Sequence, residues 1–321
     1  MLGEALIDLV PAEAPTGAGD AGLLQALPGG SPANVAVGLA RLGMPVRMLA
    51  RLSGDPFGHQ LRAHLAGNGV DLSGVVAATE PTSLAIVTLG PGGTAAYDFR
   101  VTGSADWQWR DEELAHVLDR DEQPLALHTG SLALAMAPGA DAIVRLLHNA
   151  QGRTTISYDP NCRPLLMGPP AAVRAQVDQL IPLIDVVKAS ADDLAWLYPG
   201  RSPTEVATAW LAQGPALVAV TLGADGAIAA SQSAGIVHRP AVPVTVADTV
   251  GAGDAFTSTL LASLAHRDLL GPDRRACLEA IDAMALASVL DDAARAAAIT
   301  CTRRGADPPT AAELAGAPSP D

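Results

Sequence analysis

Short β-rich runs alternate with longer helical patterns along most of the 321 residues, and this alternation constrains the fold more than any other feature. Strand-like runs such as 154–160 (TTISYDP) and 185–190 (DVVKAS) are followed by Ala- and Leu-rich stretches with helical spacing. Strands that alternate with helices form a mostly parallel sheet, because a crossover helix returns the chain to the start of the next strand. We therefore predict an α/β fold, a three-layer α/β/α sandwich with helices on both faces of the sheet.

The stretch SPANVAVGLARLG, residues 31–43, predicts the first helix. Ser31 is a candidate N-cap, Pro32 suits the first helical position, and Gly43 suits the C-terminal stop. Further along, 216–231 (ALVAVTLGADGAIAAS) predicts a hairpin whose turn lies at Ala224-Asp225-Gly226.

Two segments interrupt the alternation. Residues 9–27 are rich in Gly, Ala and Pro, and residues 82–105 predict two strands around a Gly-Pro-Gly-Gly turn at 90–93. We predict that these segments form a discontinuous β lid over the sheet edge where an open α/β sheet binds its ligands. The remaining residues, 1–8, 28–81 and 106–321, then form the α/β domain.

Composition narrows the class of partner. The chain is 49% hydrophobic and carries a formal net charge of −14, which disfavours nucleic acid and anionic membrane surfaces. Its cysteines, Cys162, Cys277 and Cys301, have neither disulfide nor zinc spacing. The start MLGEALIDLVP lacks the basic segment of a signal peptide. These features predict a cytoplasmic protein.

The phrase DTVGAGDAF, Asp248–Phe256, lies between a strand-like run at 235–247 and a helical pattern. Gly251, Ala252 and Gly253 would expose the free N–H groups of a helix N-terminus, which bind anions. A carboxylate there, Asp254, can act as a general base while the loop stabilises a transferred phosphoryl group. The alternative is that Asp254 only caps the helix.

Several phrases occur in an order that resembles the PfkB, or ribokinase-like, family of carbohydrate kinases across essentially the whole chain. DTVGAGDAF resembles its C-terminal signature, and GGSPANVAVGLARLG its N-terminal sugar-binding signature. GEALIDLV, GDPFG, HTGSLA, DPNCRP, VKAS, VTLGADGA and CTRRGADPP follow the family order. The resemblance implies a ribokinase-like fold, ATP-dependent phosphorylation, Asp254 as catalytic base and an anion hole formed by Gly251, Ala252 and Gly253.

The same resemblance implies a sugar site. Its residues would come from the first strand, the N-terminal signature, the lid and the DPNCRP phrase: Asp8, Gly29, Gly30, Asn34, Arg100 and Arg163. Four of these residues have a simpler interpretation. Asp8 could cap a helix or a turn, and Asn34 could be a solvated residue of the first helical turn. Arg100 could be a solvated strand charge, and Arg163 is similar in status.

Nucleotide and metal residues are also implied. The nucleotide would contact Lys188, Thr221, Gly223, Asp225 and Gly226. The alternatives are that Lys188 is structural and that the residues at 223–226 form only a hairpin turn. Mg²⁺ would be held, through water, by Asp193 and Asn161, and Asp248 is a candidate for a monovalent cation such as K⁺. Asp193 departs from the family pattern, in which a glutamate one methylene longer is usual.

GGSPANVA, DFRVTGSAD and DPNCRP most resemble the fructokinase branch, and the 2-keto-3-deoxygluconate kinases are the alternative. Arg100 and Arg163 could hold the carboxylate of such a keto acid. A sugar-binding regulator without catalysis is the rival of another class. A dinucleotide-binding oxidoreductase is disfavoured because the early GxGxxG that it needs is missing. The lid strands also predict a homodimer through their exposed edges.

Overall fold

The computed structural model describes residues 1–11, 23–89, 95–119 and 123–316. Its strands are β1 Leu6–Pro11, β2 Leu24–Gly29, β3 Arg51–Ser53, β4 Val76–Ala78, β5 Leu84–Leu89, β6 Ala95–Arg100, β7 Ala126–Gly130, β8 Thr155–Asp159, β9 Val186–Ser190, β10 Leu217–Thr221, β11 Ala227–Ser231 and β12 Gly235–Arg239. Its helices are α1 Ser31–Arg41, α2 Pro56–Gly67, α3 Asp111–Leu114, α4 Ala140–Ala150, α5 Pro164–Met167, α6 Pro170–Leu180, α7 Ala191–Leu197, α8 Pro203–Leu211, α9 Ala252–His266, α10 Arg275–Glu279, α11 Ala283–Cys301 and α12 Ala311–Gly316.

The central sheet has six strands in the order β12-β11-β10-β9-β8-β7. Strands β7 to β10 are parallel, and β11 and β12 add antiparallel at one edge. Leu2 forms parallel bridges to Thr129 of β7 and to Leu49, so the start of the chain borders the other edge. The predicted hairpin is present, with a 3₁₀ turn at Gly223–Asp225 between β10 and β11.

Two separate apolar cores cover the two faces of this sheet. Alternate strand residues point to opposite faces, so Leu217 packs with α1, α9 and α11, whereas its neighbour Val218 packs with α4, α6, α7 and α8. The predicted three-layer α/β/α sandwich is therefore confirmed.

A separate four-stranded sheet has the order β2-β1-β5-β6. Its antiparallel pairs flank a parallel pair of β1 with β5. The predicted lid segments supply much of it, but β1 begins at Leu6 and β2 ends at Gly29, outside those segments. Residues 12–22 and the predicted turn at 90–93 lie outside the described residues, and the division into two domains stays a prediction.

The first helix begins one residue earlier than predicted. Gly30, with φ 101° and ψ 122°, occupies the N-cap, Ser31 is the first helical residue and Pro32 the second. The prediction of Ser31 as N-cap is wrong because its side chain has a tertiary partner, Asp254, in place of the helix N–H groups.

The strand expected over 235–247 is shorter than predicted. Strand β12 ends at Arg239, and the chain from Pro240 to Val250 reaches helix α9 without regular structure. Proline at 240 and at 243 removes two N–H donors from this run, which limits its pairing in a sheet. Within the described residues, the structure contains no helix that is both long and apolar enough to cross a membrane.

Candidate active site

The N-terminus of helix α9 is the centre of the candidate site. Gly251 is its N-cap in the left-handed region, with φ 76°, and Asp254 is the third helical residue. The N–H of Ala252 contacts the carbonyl of Thr249 at 3.3 Å, whereas the hydrogen bonds of the described residues leave the N–H groups of Gly251, Gly253 and Asp254 without a protein acceptor. Three free N–H groups at the positive end of a 15-residue helix form a site for an anion.

Close packing explains why the loop needs glycine. A Cβ at Gly251 would lie 2.6 Å from both Cα and Cβ of Ala306, and its positive φ disfavours other residues as well. A Cβ at Gly253 would lie 3.0 Å from Nζ of Lys188. Lys188 therefore places its ammonium group beside the anion site, and no side chain at Gly253 intervenes.

Two polar side chains of helix α1 hold Asp254. Ser31 Oγ donates a hydrogen bond of 2.6 Å to Oδ1, and Asn34 Nδ2 donates one of 2.8 Å to Oδ2. Burial raises the pKa of Asp254, while these two hydrogen bonds and the charges of Lys188 and Arg163 oppose that rise. The result is an oriented carboxylate whose basicity exceeds that of a solvated aspartate.

Lys188 forms a buried ion pair with Asp159, in which Nζ lies 2.9 Å from Oδ2. Burial alone lowers the pKa of Lys188, but the carboxylates of Asp159, Asp193 and Asp254 outweigh it and raise the pKa. Burial raises the pKa of Asp159 to about 6 even though Lys188 acts against it. Lys188 is thus a permanent cation among three carboxyl groups, where excess negative charge is compatible with a metal ion.

The pair Gly29-Gly30 lets the N-terminal signature approach the first strand. A Cβ at Gly29 would lie 2.3 Å from Oδ2 of Asp8, and a Cβ at Gly30 would lie 2.6 Å from the carbonyl oxygen of Glu4. Burial raises the pKa of Asp8 to about 6, with Arg163 lowering it and Asp254 raising it. Asp8, Arg163 and Asp254 therefore lie within electrostatic range of one another.

The two candidate sugar-binding arginines differ in position. Arg163 Nη1 donates to Asn161 Oδ1 at 2.7 Å and to the carbonyl oxygens of Asn161 and Cys162. Arg100 ends strand β6, its side chain is 65% exposed, and it pairs with Asp98 at 2.7 Å. Among the described residues, the structure brings Arg163 near the other site residues but does not bring Arg100 to them.

Both candidate magnesium residues already have protein partners. Asp193 Oδ1 accepts from the N–H of Cys162 at 2.7 Å, and Oδ2 accepts from the N–H and the hydroxyl of Ser190. Within the described ranges, no three acidic, His or Cys side chains are grouped as a metal centre. The arrangement fits a water-mediated ion, because Mg²⁺ is commonly bound by one or two carboxylates together with waters and phosphates.

The remaining candidates occupy two loops. Thr221 ends β10, Gly223 and Asp225 form the following turn, and a Cβ at Gly226 would lie 2.1 Å from the carbonyl oxygen of Arg239. Asp248 ties two chain segments together, because its Oδ2 accepts from the N–H of Gly305 at 2.8 Å and its Oδ1 from that of Val250 at 3.0 Å.

Comparison with known proteins identifies the family. The model of the pfkB family of carbohydrate kinases matches residues 1–312. The chain belongs to this family. A fructokinase of Klebsiella pneumoniae is 35% identical over 253 residues, which cover 76% of each chain. The predictions of a PfkB carbohydrate kinase, with an alcohol group as acceptor, and of its fructokinase-like branch are therefore confirmed.

Solved structures agree with the assignment to the PfkB family. A fructokinase of Xylella fastidiosa with bound ATP is 30% identical, with a TM-score of 0.85 over 98% of this chain and 95% of that one. A fructokinase of Vibrio cholerae with fructose, ADP and calcium is 29% identical, with a TM-score of 0.79 over 98% and 96%. The ribokinase-like fold is thereby confirmed.

Sequence reasoning about this PfkB site missed Ser31 and Asp159. Ser31 lies three residues before Asn34 on helix α1, so both face the same side, and this spacing was a usable signal. Asp159 ends β8 in register with Lys188 of β9, since Ser157 pairs with Val186 and Tyr158 with Val187. Finding that ion pair from sequence requires the strand register.

Proposed function

We propose that the protein is an ATP-dependent fructokinase that phosphorylates a primary hydroxyl group, with Asp254 as the general base. The observation that carries the proposal is the Asp254 carboxylate itself, held by Ser31 and Asn34 within a helix N-terminus that has free N–H groups. A protein that only binds sugar has no need of a base in an anion site, which disfavours the regulatory alternative.

The chemistry follows from this arrangement. Asp254 accepts the proton of the sugar hydroxyl, whose oxygen attacks the γ-phosphorus of ATP in line. The N–H groups of Gly251 and Gly253, together with Lys188, stabilise negative charge on the transferred group. Asp8, Asn34 and the Gly29-Gly30 backbone would orient the sugar.

The nucleotide is proposed to lie along the β10–β11 turn, at Thr221, Gly223, Asp225 and Gly226, with its phosphates toward Lys188. Exposed apolar side chains on the chain before helix α9 offer a surface for the nucleotide base: Val244, Val246 and Val250. Mg²⁺, when bound, would neutralise charge on the β- and γ-phosphates, and Asp193 and Asn161 would hold its waters. Asp248 remains the candidate for a monovalent cation.

Two further proposals concern the protein as a whole. Within the described residues, Cys162, Cys277 and Cys301 are free thiols, which supports a cytoplasmic location. Strands β2 and β6 are the edges of the lid sheet. Leu23 precedes β2 and Leu24 is its first residue, and both are exposed. Pairing of such an edge with a second copy would support a homodimer through the lid.

The first test is ADP release from Mg·ATP with fructose, 2-keto-3-deoxygluconate, ribose, adenosine or no sugar. We expect clear preference for fructose, which the fructokinase relatives support. Preference for the keto acid would instead favour the alternative in which Arg163 binds its carboxylate. Sugar binding without turnover across the panel would support the regulator.

Arg100→Ala tests the lid assignment. Although its guanidinium is 65% exposed in this structure, we expect the sugar KM to rise by about tenfold or more, since charge-assisted hydrogen bonds are strong when a lid excludes water. The ATP KM should change by less than about threefold. Arg145→Ala, which removes another exposed Arg–Asp pair at Asp111, is the matched control and should change neither constant. Equal effects of Arg100→Ala on both KM values would contradict the assignment.

A further inference from the structure

The chain passes four times between the lid sheet and the α/β sandwich. These crossings are at Ala5, before β1; Gly30, after β2; Ser83, before β5; and Val101, after β6. Asp106, in a short 3₁₀ turn, lies where three of them meet. It is 1% exposed, so its carboxyl group is enclosed by protein.

The hydrogen bonds of this carboxyl group join the crossings directly. The N–H of Ala5 donates to Asp106 Oδ1 at 2.9 Å, and Ser83 Oγ lies 2.5 Å from Oδ2. Ser83 Oγ also lies 2.6 Å from Ser104 Oγ, which donates to the carbonyl oxygen of Val101 at 2.8 Å. One aspartate therefore connects the starts of β1 and β5 with the exit from β6.

These contacts act on the strand that carries a candidate sugar ligand. Ala5 precedes Asp8 by three residues, and β1 pairs with β5 through Ile7–Leu84 and Asp8–Ala85. The N–H of Ile7 also donates to the carbonyl oxygen of Ser83 at 3.1 Å. Anchoring Ala5 and Ser83 on one carboxyl group therefore fixes the position of Asp8 and of the lid relative to the sandwich.

We propose that Asp106 is a positioning residue of the kinase, which holds the lid and Asp8 over the sugar site and so keeps water from the transferred phosphoryl group. The functional part of this inference rests on the proposed sugar-kinase activity. The anchoring of the lid strands by Asp106 does not depend on that activity.

The hydrogen bonds around Asp106 require more protons than the two serine hydroxyl groups provide. Three contacts, Asp106–Ser83, Ser83–Ser104 and Ser104–Val101 O, need three protons, but the two hydroxyl groups supply only two. Ser83 Oγ donates to Asp106 Oδ2 and Ser104 Oγ donates to Val101 O, so the Ser83–Ser104 contact gains a proton only when Asp106 is protonated and donates to Ser83. The neutral acid therefore completes the chain of hydrogen bonds.

The surroundings of Asp106 favour that proton only as the pH falls toward 6. Burial raises its pKa to about 6, against the hydrogen bonds of Ser83 and Ala5 and the charge of Arg51. Arg51 is itself neutralised by Glu80 and Glu113. Glu4, also 1% exposed, is a nearby acid, and burial together with the charge of Asp106 raises its pKa to about 7.

If the proposal is right, Asp106→Asn and Asp106→Ala should behave differently. Asparagine keeps an oxygen for the Ala5 N–H and offers an N–H₂ donor to Ser83, as the protonated acid does, whereas alanine leaves both groups unpaired. Thr154→Ala is a matched structural control: its hydroxyl is bonded to Pro124 O at 2.7 Å, Thr154 is 2% exposed, and the residue belongs to neither the lid nor the site.

The test combines kinetics with hydrogen–deuterium exchange on the full chain. For Asp106→Ala we expect a sugar KM raised about tenfold or more, a higher ratio of ATP hydrolysis to sugar phosphorylation, and an ATP KM within about threefold of the unmodified protein. Amides of β1 and β5 should exchange about tenfold or more faster. Asp106→Asn should stay within about threefold in every measurement, and Thr154→Ala should leave both the ratio and the exchange of these strands unchanged.

The proposal is overturned if Asp106→Ala keeps the coupling ratio and the lid-strand exchange of Thr154→Ala. If Asp106→Ala does not fold, Ser83→Ala replaces it, and unchanged β1 and β5 exchange in that variant overturns the proposal equally. Absence of turnover in the unmodified protein would count against the kinase activity. Faster lid-strand exchange in Asp106→Ala would still support the anchoring role.

Discussion

Asp254→Asn is expected to lower kcat by at least about a hundredfold while sugar affinity stays within a few-fold of the unmodified protein. The side chain keeps its size and one oxygen acceptor, so binding survives, but a neutral amide cannot take the hydroxyl proton. General base catalysis contributes roughly 100- to 10,000-fold in enzymes, which sets the scale of the loss. Single-turnover phosphorylation and calorimetric sugar binding measure the two quantities separately.

Ionisation of the Asp254 carboxyl group should determine how kcat falls on the acid side of its pH profile. Because burial raises the pKa of Asp254, its reactive ionised form is lost as the pH falls, and the midpoint of kcat lies above the ordinary aspartate range near 4. Ser31→Ala removes the 2.6 Å hydrogen bond to Oδ1 that opposes this rise, so the midpoint should move to higher pH. Asp254→Asn should lose this limb of the profile.

A matched substitution separates catalysis from helix capping. Asp282 is the N-cap of helix α11 and accepts from the N–H of Ala285, which asparagine can do equally well. Asp282→Asn should leave kcat unchanged. If Asp254→Asn behaved in the same way, Asp254 would be only a residue of the helix terminus and the proposed mechanism would be wrong.

Periodic features of the chain were predictable because they depend on local pattern. Alternation of strands and helices predicted the three layers, and Ala224-Asp225-Gly226 predicted the β10–β11 turn, which the structure forms at Gly223–Asp225. The end of β12 was not predicted, because apolar residues at 241–247 have strand propensity although prolines restrict their pairing. The start of β1 within the lid sheet was missed because strand pattern does not reveal which sheet a strand joins.

Candidate site residues could be predicted where they lie within a recognisable sequence motif. They could not be predicted where the contact joins two segments that are distant in the sequence. Asp254 and its loop follow from DTVGAGDAF, and the structure places Asn34 on that carboxylate. Ser31 was predicted to be a helix N-cap because its actual partner, Asp254, is 223 residues away. The sequence around Ser31 gives no indication of so distant a partner. The role of Asp106 was not predicted for the same reason, because its hydrogen-bond partners Ala5 and Ser83 are 101 and 23 residues away.

Lys188→Met is expected to cost about 3–5 kcal/mol of unfolding free energy at pH 7 and to lower kcat by about a hundredfold or more. Both members of the Lys188–Asp159 pair are buried, so removing the cation leaves an uncompensated carboxylate in the interior. The ammonium group also lies beside Gly253, where its loss withdraws a charge from the anion site. Chemical denaturation and steady-state kinetics measure the two losses.

The stability loss of Lys188→Met should depend on pH. Without Lys188, the pKa of Asp159 rises above its present value of about 6. Since a group whose pKa is raised on folding favours the folded state at low pH, the deficit should shrink toward pH 5 and be largest above pH 7. A pH-independent deficit would mean that Asp159 does not carry the unpaired charge.

The double variant Lys188→Met/Asp159→Asn separates structure from catalysis. Replacing the stranded carboxylate by a neutral amide should recover most of the unfolding free energy, because the buried charge is gone. Turnover should remain low, because the ammonium group beside Gly253 is absent. Recovery of turnover together with stability would show that Lys188 supports only the fold.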